Sequence, residues 1–225
     1  MAFKQFSVYL GGLHVVYLLD TRYRFDFKYL KEPKLIVVHW TGSIPQTIEE
    51  YYTKSVERVG QPKTHFIINS KGTIFQTLPL NVMGNHIPRR NEYSIGISLH
   101  NIVSARSVTQ ALRYSFIKLV NILKDEFGTA ELKTHKELMV EDVGELMMEL
   151  GLMPGEIERD ADEIDLSKFL TLSGKRLERY KKKVIEYIED NLERSLYTSM
   201  LVDRIRNIPD CPGNNYEKVR LEPSI

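Results

Sequence analysis

The run Leu35-Ile36-Val37-Val38-His39-Trp40-Thr41 decides the fold class of this chain. Its first part is continuously apolar and rich in Val and Ile, which is typical of a strand buried on both faces of a sheet. Helices must then cover the sheet on both sides, so the run predicts an α/β protein. His39 follows the apolar residues directly, which places an imidazole at the end of the predicted strand.

Further strand and helix patterns surround this run. Predicted strands cover 6–10, 65–69, 73–77, 94–99 and 132–134, and predicted helices cover 48–59 and 107–127. Ser70-Lys71-Gly72 joins two of the strands as a hairpin turn, and Gly60 and Gly128 end the helices. The apolar face predicted for the second helix comprises Ala111, Tyr114, Phe116, Leu119, Val120 and Leu123. We therefore predict a mixed central β-sheet flanked by helices.

The composition changes after residue 135. The segment from Lys136 to Pro209 is rich in Glu, Lys, Leu and Met, and it has few strand signals. Helices are predicted there over 143–150 and 175–192, with a further helix running to Arg206. We predict three parts, which are an N-terminal extension (1–34), a main domain (35–135 and 209–225) and a helical insertion (136–208).

The composition also bears on which partners the protein binds and where in the cell it is made. The 225 residues include 31 basic and 30 acidic side chains, and this balance gives no sign of a nucleic-acid partner. No membrane span is predicted, and the oligomeric state is open. The apolar N-terminal stretch is interrupted by His14 and alternates like a strand, so we expect cytoplasmic synthesis without a clear signal peptide. Action outside the cell, at the cell wall for example, would then require release by another agent.

Three residues far apart in the chain form a candidate metal site. His39 and His135 each follow a short predicted strand, and Cys211, the only cysteine, lies in a turn with Pro212 and Gly213. Two imidazoles and one thiolate suit Zn²⁺ and leave a fourth tetrahedral position for water or substrate. A metal with an open position is typical of catalysis, so these residues predict a catalytic zinc site.

Six motifs occur in an order that resembles the type 2 N-acetylmuramoyl-L-alanine amidases, a family that includes amidase-type phage lysozymes and peptidoglycan recognition proteins. The motifs lie at 37–41 (Val-Val-His-Trp-Thr), 65–76, 84–86 (Gly-Asn-His), 91–99, 134–135 (Thr-His) and 211–216 (Cys-Pro-Gly-Asn-Asn-Tyr). The resemblance implies a mixed sheet with helices on both sides and one bound zinc. It also implies an endolysin-like hydrolase that cleaves the amide between the lactyl group of N-acetylmuramic acid and L-alanine in peptidoglycan or muropeptides.

The resemblance also assigns roles to individual residues. The zinc ligands are expected to be His39, His135 and Cys211. The residues expected to bind substrate are Thr41, His86, Asn91 and Ser98. Apart from the resemblance, we expect His86, Thr64 and Glu137 to take part in catalysis. His86, Glu137, His65, His100 and Asp210 are candidates for protonating the leaving amine.

The chain departs from the family pattern at several positions. Thr64 and Ser98 stand where members have a Tyr or a Glu that assists the reaction, and Ser or Thr hydroxyls are poor general bases. Pro209 stands two residues before Cys211, where many members have Lys or Thr, and it has no donor for an oxyanion. Asp142 is a rival third ligand, because the second and third ligands usually lie closer in sequence.

These departures leave two alternatives beside the amidase. The first is a binding protein of the same fold that holds peptidoglycan or muropeptide without cutting it. The second is an amide hydrolase of the same fold with a different substrate. Function depends on site chemistry rather than on fold, so the three possibilities stay open at this point.

Overall fold

A mixed β-sheet forms the centre of the first part of the chain. The computed structural model describes residues 3–20, 28–41, 47–101, 108–128, 130–152, 164–193 and 195–209. Within these ranges the sheet has the strands β1 (Phe3–Leu10), β2 (Leu13–Asp20), β3 (Leu35–Trp40), β4 (Phe66–Ile68), β5 (Ile74–Gln76), β6 (Ser94–Leu99) and β7 (Glu131–Thr134). Their order across the sheet is β1-β2-β5-β4-β6-β3-β7.

Both parallel and antiparallel pairs occur in the sheet. Strand β6 runs parallel to β3 on one side and to β4 on the other, whereas β4 and β5 form an antiparallel hairpin. The β1–β2 hairpin belongs to the predicted N-terminal extension, and it joins the sheet through a parallel pairing of β2 with β5. The predicted mixed sheet is therefore confirmed.

The helices among the described residues are α1 (Ile48–Val59), α2 (Gln110–Phe127), α3 (His135–Glu149), α4 (Leu166–Thr171), α5 (Gly174–Asn191) and α6 (Leu196–Arg206). None of those described is both long and apolar enough to cross a membrane. The α1 bounds match the prediction. The Thr47 hydroxyl accepts a bond from the Glu50 amide and the Glu50 carboxylate accepts one from the Thr47 amide, while Gly60 ends the helix at φ 78°. This capping box and left-handed glycine are strong start and stop signals.

Helices α1 and α2 cover opposite faces of the sheet. Ile36 and Val38 of β3 belong to an apolar cluster that includes Phe116 and Leu119 of α2. Ile67 of β4 belongs instead to a cluster that includes Tyr52 and Val56 of α1. Because side chains alternate between faces along a strand, the odd-numbered residues of β3 point to the α1 face. His39 is one of these residues.

The described residues divide into two compact units. One ends at Lys133 and the other begins at Thr134, and each is described by itself. The second unit is helical and has its own apolar core, to which Val143, Phe169, Val184, Ile188 and Leu201 contribute with less than a tenth of each side chain exposed. Burial of these apolar side chains holds the helices of this unit together.

Two details of the predicted helices are wrong. The helix predicted over 143–150 begins eight residues earlier, at His135, because β7 passes directly into α3 through the capping residue Thr134. The apolar face of α2 is built around Leu112, while Tyr114 is 60% exposed and its ring carries the Lys118 ammonium at 4.7 Å. Aromatic rings with a polar tip are often tolerated at the surface.

Candidate functional site

Three neighbouring strands carry a row of residues across the α1 face of the sheet. His39 of β3 lies in register with Ser98 of β6, and Ser98 lies in register with Ile67 of β4. Register partners in adjacent strands are about 4.8 Å apart and point to the same face. The imidazole of His39 and the hydroxyl of Ser98 are therefore neighbours, and both are buried.

His39 is held by a second histidine from the loop that precedes β6. Its Nε2 atom lies 3.0 Å from Nδ1 of His86, and the two rings meet edge to face at an interplanar angle of 87°. Nε2 of His86 faces the hydroxyl of Ser94 at 3.2 Å and the Ser94 carbonyl oxygen at 3.4 Å. The Ser94 hydroxyl donates its own hydrogen to the Arg90 carbonyl oxygen at 2.6 Å.

These contacts assign the protons of the pair. The Ser94 hydroxyl donates its only hydrogen to the Arg90 carbonyl oxygen, so it can only accept from His86. Nε2 of His86 must therefore carry a hydrogen. A neutral His86 then accepts at Nδ1, so His39 donates from Nε2. The tautomer of His39 assigned from this network has its lone pair on Nδ1, and a neutral imidazole nitrogen with a lone pair is what a zinc ion binds.

The loop from Gly84 to Tyr93 is built around His86. The side-chain oxygen of Asn91 accepts the backbone amides of His86 and Ile87, at 2.9 Å and 2.8 Å. Gly96 of β6 leaves room for the ring, because a Cβ atom there would lie 2.9 Å from Cγ of His86. Asn91, predicted to bind substrate, therefore positions His86 in this structure.

His65 is a fully buried histidine with a fixed neutral form. Its Nδ1 accepts the Gly96 amide at 3.1 Å, and its Nε2 donates to the Val82 carbonyl oxygen at 2.8 Å. Burial lowers the pKa of His65 to about 4, and the bond to Val82 opposes that shift only in part. His65 thus joins β6 to the segment that leads into the His86 loop, and both of its ring nitrogens are already engaged.

Three hydroxyl groups form a chain beside His39. The Thr64 hydroxyl donates to the Phe66 carbonyl oxygen at 3.2 Å and lies 3.0 Å from the Ser98 hydroxyl. The Ser98 hydroxyl in turn lies 3.1 Å from the Tyr51 hydroxyl of α1. The structure therefore brings the predicted residues Thr64 and Ser98 together, next to His39 in the sheet. His100 lies close by, with its ring 5.8 Å from that of Tyr51.

Thr41 closes the end of the β3–β6 pair. Its amide donates to the Leu99 carbonyl oxygen at 3.2 Å, and its hydroxyl accepts the Asn101 amide at 2.8 Å. Asn101 has a φ of 57°, in the left-handed region that asparagine tolerates better than most residues. Thr41 thus joins the end of β3, which carries His39, to the end of β6.

The second unit contains the other predicted residues. His135 is the first residue of α3, and the helix start is a capping box in which Thr134 and Glu137 bond to each other's backbone amides. The Glu137 carboxylate thus has a structural partner at 2.6 Å. Asp142 lies two turns further along α3, where it is buried. Asp210 and Cys211 lie outside the described residues.

Of the three predicted ligands, His39 has features that suit zinc binding. His39 is buried, and its Nε2 bonds to His86; metal-binding histidines likewise use their second ring nitrogen in a bond that fixes the ring. Across the described ranges, no three His, Cys, Asp or Glu side chains are grouped so that they could hold a metal. The predicted set includes Cys211, which falls beyond these ranges, so the full ligand set stays a prediction.

Two contributors were missed from sequence. Tyr51 lies on the α1 helix, and helical periodicity does not reveal which strand residue its hydroxyl will meet. Ser94 belongs to a recognised motif, but its role depends on the fold that brings His86 beside it. A signal did exist for Glu137, because Thr134-His135-Lys136-Glu137 has the spacing of a capping box.

The chain was compared with known protein sequences and solved structures. No curated protein sequence matches the chain. Among solved structures, the endolysin amidase LysCS of Clostridium intestinale is 28% identical, with 51% of this chain and 78% of that chain covered and a TM-score of 0.46. The amidase LysC of the same organism is 22% identical, with 72% and 91% covered and a TM-score of 0.47.

A third similar structure is Drosophila PGRP-LB in complex with tracheal cytotoxin, which is 17% identical, with 52% and 78% covered and a TM-score of 0.46. With TM-scores below 0.5, these likenesses add no support, and the assignment rests on the family model. The model described as N-acetylmuramoyl-L-alanine amidase matches residues 29–144, which is just over half of the chain and includes His39, His86 and His135. The chain therefore belongs to the N-acetylmuramoyl-L-alanine amidase family.

Proposed function

We propose that the chain is a zinc-dependent hydrolase that cleaves the amide between the lactyl group of N-acetylmuramic acid and L-alanine in peptidoglycan. Its family membership supports the reaction type. The observation that carries the proposal is the hydrogen-bonded chain from His39 through His86 to Ser94, which fixes the His39 ring in one orientation and one assigned tautomer.

The residues proposed to hold zinc are His39, His135 and Cys211. Zinc bound there would supply a Lewis acid that polarises a carbonyl group and lowers the pKa of a water molecule. The other residues of the site act on these ligands or on substrate. His86 holds the His39 ring in one orientation and one tautomer, and Asn91 and Gly96 hold His86 in turn.

A binding protein without turnover is the second candidate, and one observation favours it. Thr64 and Ser98 stand where family members have a Tyr or a Glu, and both hydroxyls are buried and bonded to each other. Neither can serve as a general base near neutral pH. A groove that keeps the metal site but lacks a helper group would hold muropeptide without cleaving it.

The two candidates are separated by an assay on purified peptidoglycan. The zinc-loaded protein is incubated with the substrate, and new L-alanine amino ends and lactyl ends are measured by mass spectrometry. We expect both products from the wild type and from His14→Ala, which removes an exposed histidine on the β1–β2 hairpin. We expect neither product after chelation or from His39→Ala.

Two results would contradict the amidase proposal. If the zinc-loaded wild type binds muropeptide but releases no new ends, the chain is the binding protein instead. If His39→Ala cleaves as well as the wild type does, the reaction does not use the proposed metal site.

A further inference from the structure

Lys136 is a buried charged residue that the proposed reaction does not use. It is 1% exposed, whereas lysine is rarely buried to this extent in proteins. Its Nζ donates to the Leu172 carbonyl oxygen at 2.7 Å. Taking a charge out of water is costly, and hydrogen bonds offset that cost only in part. Buried charged groups can instead fix one arrangement of the elements that they join.

The carbonyl group that Lys136 contacts lies at the junction of two helices. Leu172 is the residue that ends α4, and the next residue, Ser173, is the one from which α5 begins. The other end of α4 is held by α5. The Tyr180 hydroxyl donates to the Asp165 carbonyl oxygen at 3.0 Å and accepts the Asp165 amide at 2.9 Å. Lys136 therefore joins α3 to a helix that is fixed at both ends.

The position of Lys136 in α3 gives this bond a possible use. Lys136 directly follows His135, which is the first residue of the helix and a proposed zinc ligand. Helix ends fray, because their first backbone amides have no partner within the helix. The capping box of Thr134 and Glu137 holds the first turn to itself. The bond from Lys136 to Leu172 differs, because it holds the turn to another element of the same unit.

We propose that Lys136 is a positioning residue for His135. Groups that bind a ligand must be held within about 0.5 Å of the bound geometry by residues that are themselves fixed. The bond from Lys136 to the end of α4 fixes the first turn of α3, and the turn in turn fixes the backbone from which the His135 imidazole extends. The helices after α3 thus support the zinc site. This inference rests on the proposed function, in which His135 binds zinc.

The test compares two buried lysines of the second unit. Lys136→Met keeps a side chain of similar length and removes the bond to Leu172. Lys181→Met is the matched control, because Lys181 is 6% exposed and its Nζ donates to the carbonyl oxygen of Arg206, the last residue of α6, at 3.2 Å.

Zinc affinity is measured by competition with a chelator of known affinity. We expect Lys136→Met to bind zinc about 10-fold more weakly than the wild type, which is the lower end of the loss seen when a residue that supports a metal ligand is removed. Lys181→Met should bind zinc as the wild type does.

Hydrogen exchange gives a readout that needs no zinc. The Glu137 amide donates to the Thr134 hydroxyl at 3.0 Å, so its exchange rate reports how often the first turn of α3 opens. In the zinc-free protein, measured by NMR, we expect this amide to exchange faster in Lys136→Met than in the wild type or in Lys181→Met. A general loss of stability would instead speed exchange in all the helices of the unit.

Several results would overturn the inference. Equal zinc affinities for Lys136→Met and the wild type would do so, and so would an equal loss in Lys136→Met and Lys181→Met, because reduced stability alone would then explain it. If Lys136→Met does not fold, Tyr180→Phe decides, because it releases the start of α4 and should also weaken zinc binding. An unchanged zinc affinity for Tyr180→Phe then overturns the inference.

Failure of the proposed function gives a different result. A wild type that binds zinc but cleaves no peptidoglycan overturns the proposed reaction and leaves the role of Lys136 in place. A wild type that binds no zinc overturns both.

Discussion

Nε2 of His39 and Nδ1 of His86 lie 3.0 Å apart, in a hydrogen bond that joins the end of β3 to the loop before β6. The nearly perpendicular rings allow the Nε2–H of one to point at the lone pair of the other. His86 was expected to act on substrate. Its contacts give it a second role, which is to fix the orientation and tautomer of a proposed zinc ligand.

The first prediction concerns this pair. Replacing His86 with Ala should weaken zinc binding about 10–100-fold, because residues that orient a metal ligand typically contribute that much to affinity. The measurement is a competition titration with a zinc chelator of known affinity. His14→Ala, which removes an exposed histidine on the hairpin, should bind zinc as the wild type does. If His86→Ala and the wild type bind zinc with equal affinity, His86 does not orient His39 for zinc binding.

The second prediction concerns the space that Gly96 leaves for His86. A Cβ atom on Gly96 would lie within 3.0 Å of three ring atoms of His86, which is too close for any packed pair. We expect Gly96→Ala to lower the free energy of unfolding by about 1–3 kcal/mol through overpacking, as measured by chemical denaturation.

Gly144→Ala is the matched control for that experiment. Its new Cβ atom would approach only the flexible end of the Leu166 side chain, at 3.0 Å, and alanine also favours the α3 helix. We expect a smaller loss than for Gly96→Ala, or a gain. If the two variants have the same stability, the ring of His86 moves aside without cost, and the proposed rigid support is absent.

The third prediction is a pH dependence caused by His65. Burial lowers the pKa of this residue to about 4 in the folded protein. In the unfolded chain the value is about 6.5. As the pH falls between these two values, the unfolded chain binds a proton that the folded protein does not, so the free energy of unfolding falls, by about 3 kcal/mol in total. Above the upper value His65 contributes no pH dependence.

The contribution of His65 is isolated by a difference. Chemical denaturation of the wild type and His65→Gln between the two pH values should show a steeper fall for the wild type, because glutamine does not titrate. His14→Gln should retain the wild-type slope. Parallel curves for all three proteins would show that His65 is not kept neutral by the fold.

The fourth prediction separates two roles of Glu137. Both Glu and Gln can close a capping box, so Glu137→Gln should keep the stability of the wild type, whereas Glu137→Ala should lose about 1 kcal/mol at the start of α3. Turnover by Glu137→Gln then tests the predicted catalytic role of this carboxylate. Full activity assigns Glu137 to the cap alone, and a large loss at unchanged stability shows that the carboxylate takes part in the reaction.

The sequence predicts features best where the signal lies within a few residues of the feature. The α1 bounds were correct because Glu50 of the capping box and Gly60 are local signals within a few residues of the helix ends. The α3 start was missed although Thr134 and Glu137 have capping-box spacing, because the apolar pattern placed the helix only from residue 143. Helix boundaries are therefore encoded by local signals, including one at α3 that the prediction overlooked.

The site depended on contacts that no local pattern contains. The bond between His39 and His86 spans 47 residues, and so does the bond between Tyr51 and Ser98. The family resemblance supplied His39 and His86, because their motifs are shared. It could not supply Tyr51, because packing of the whole unit decides which α1 residue meets Ser98 on that face of the sheet.

Zinc content tests the central claim most directly. The wild type, His39→Ala, Cys211→Ala and Asp142→Ala are purified, loaded with zinc, dialysed and analysed for metal by mass spectrometry. The account predicts about one zinc per chain for the wild type and Asp142→Ala, and almost none for His39→Ala and Cys211→Ala. If Cys211→Ala retains zinc and Asp142→Ala loses it, Asp142 is the third ligand in place of Cys211. A wild type that binds no zinc would contradict the account.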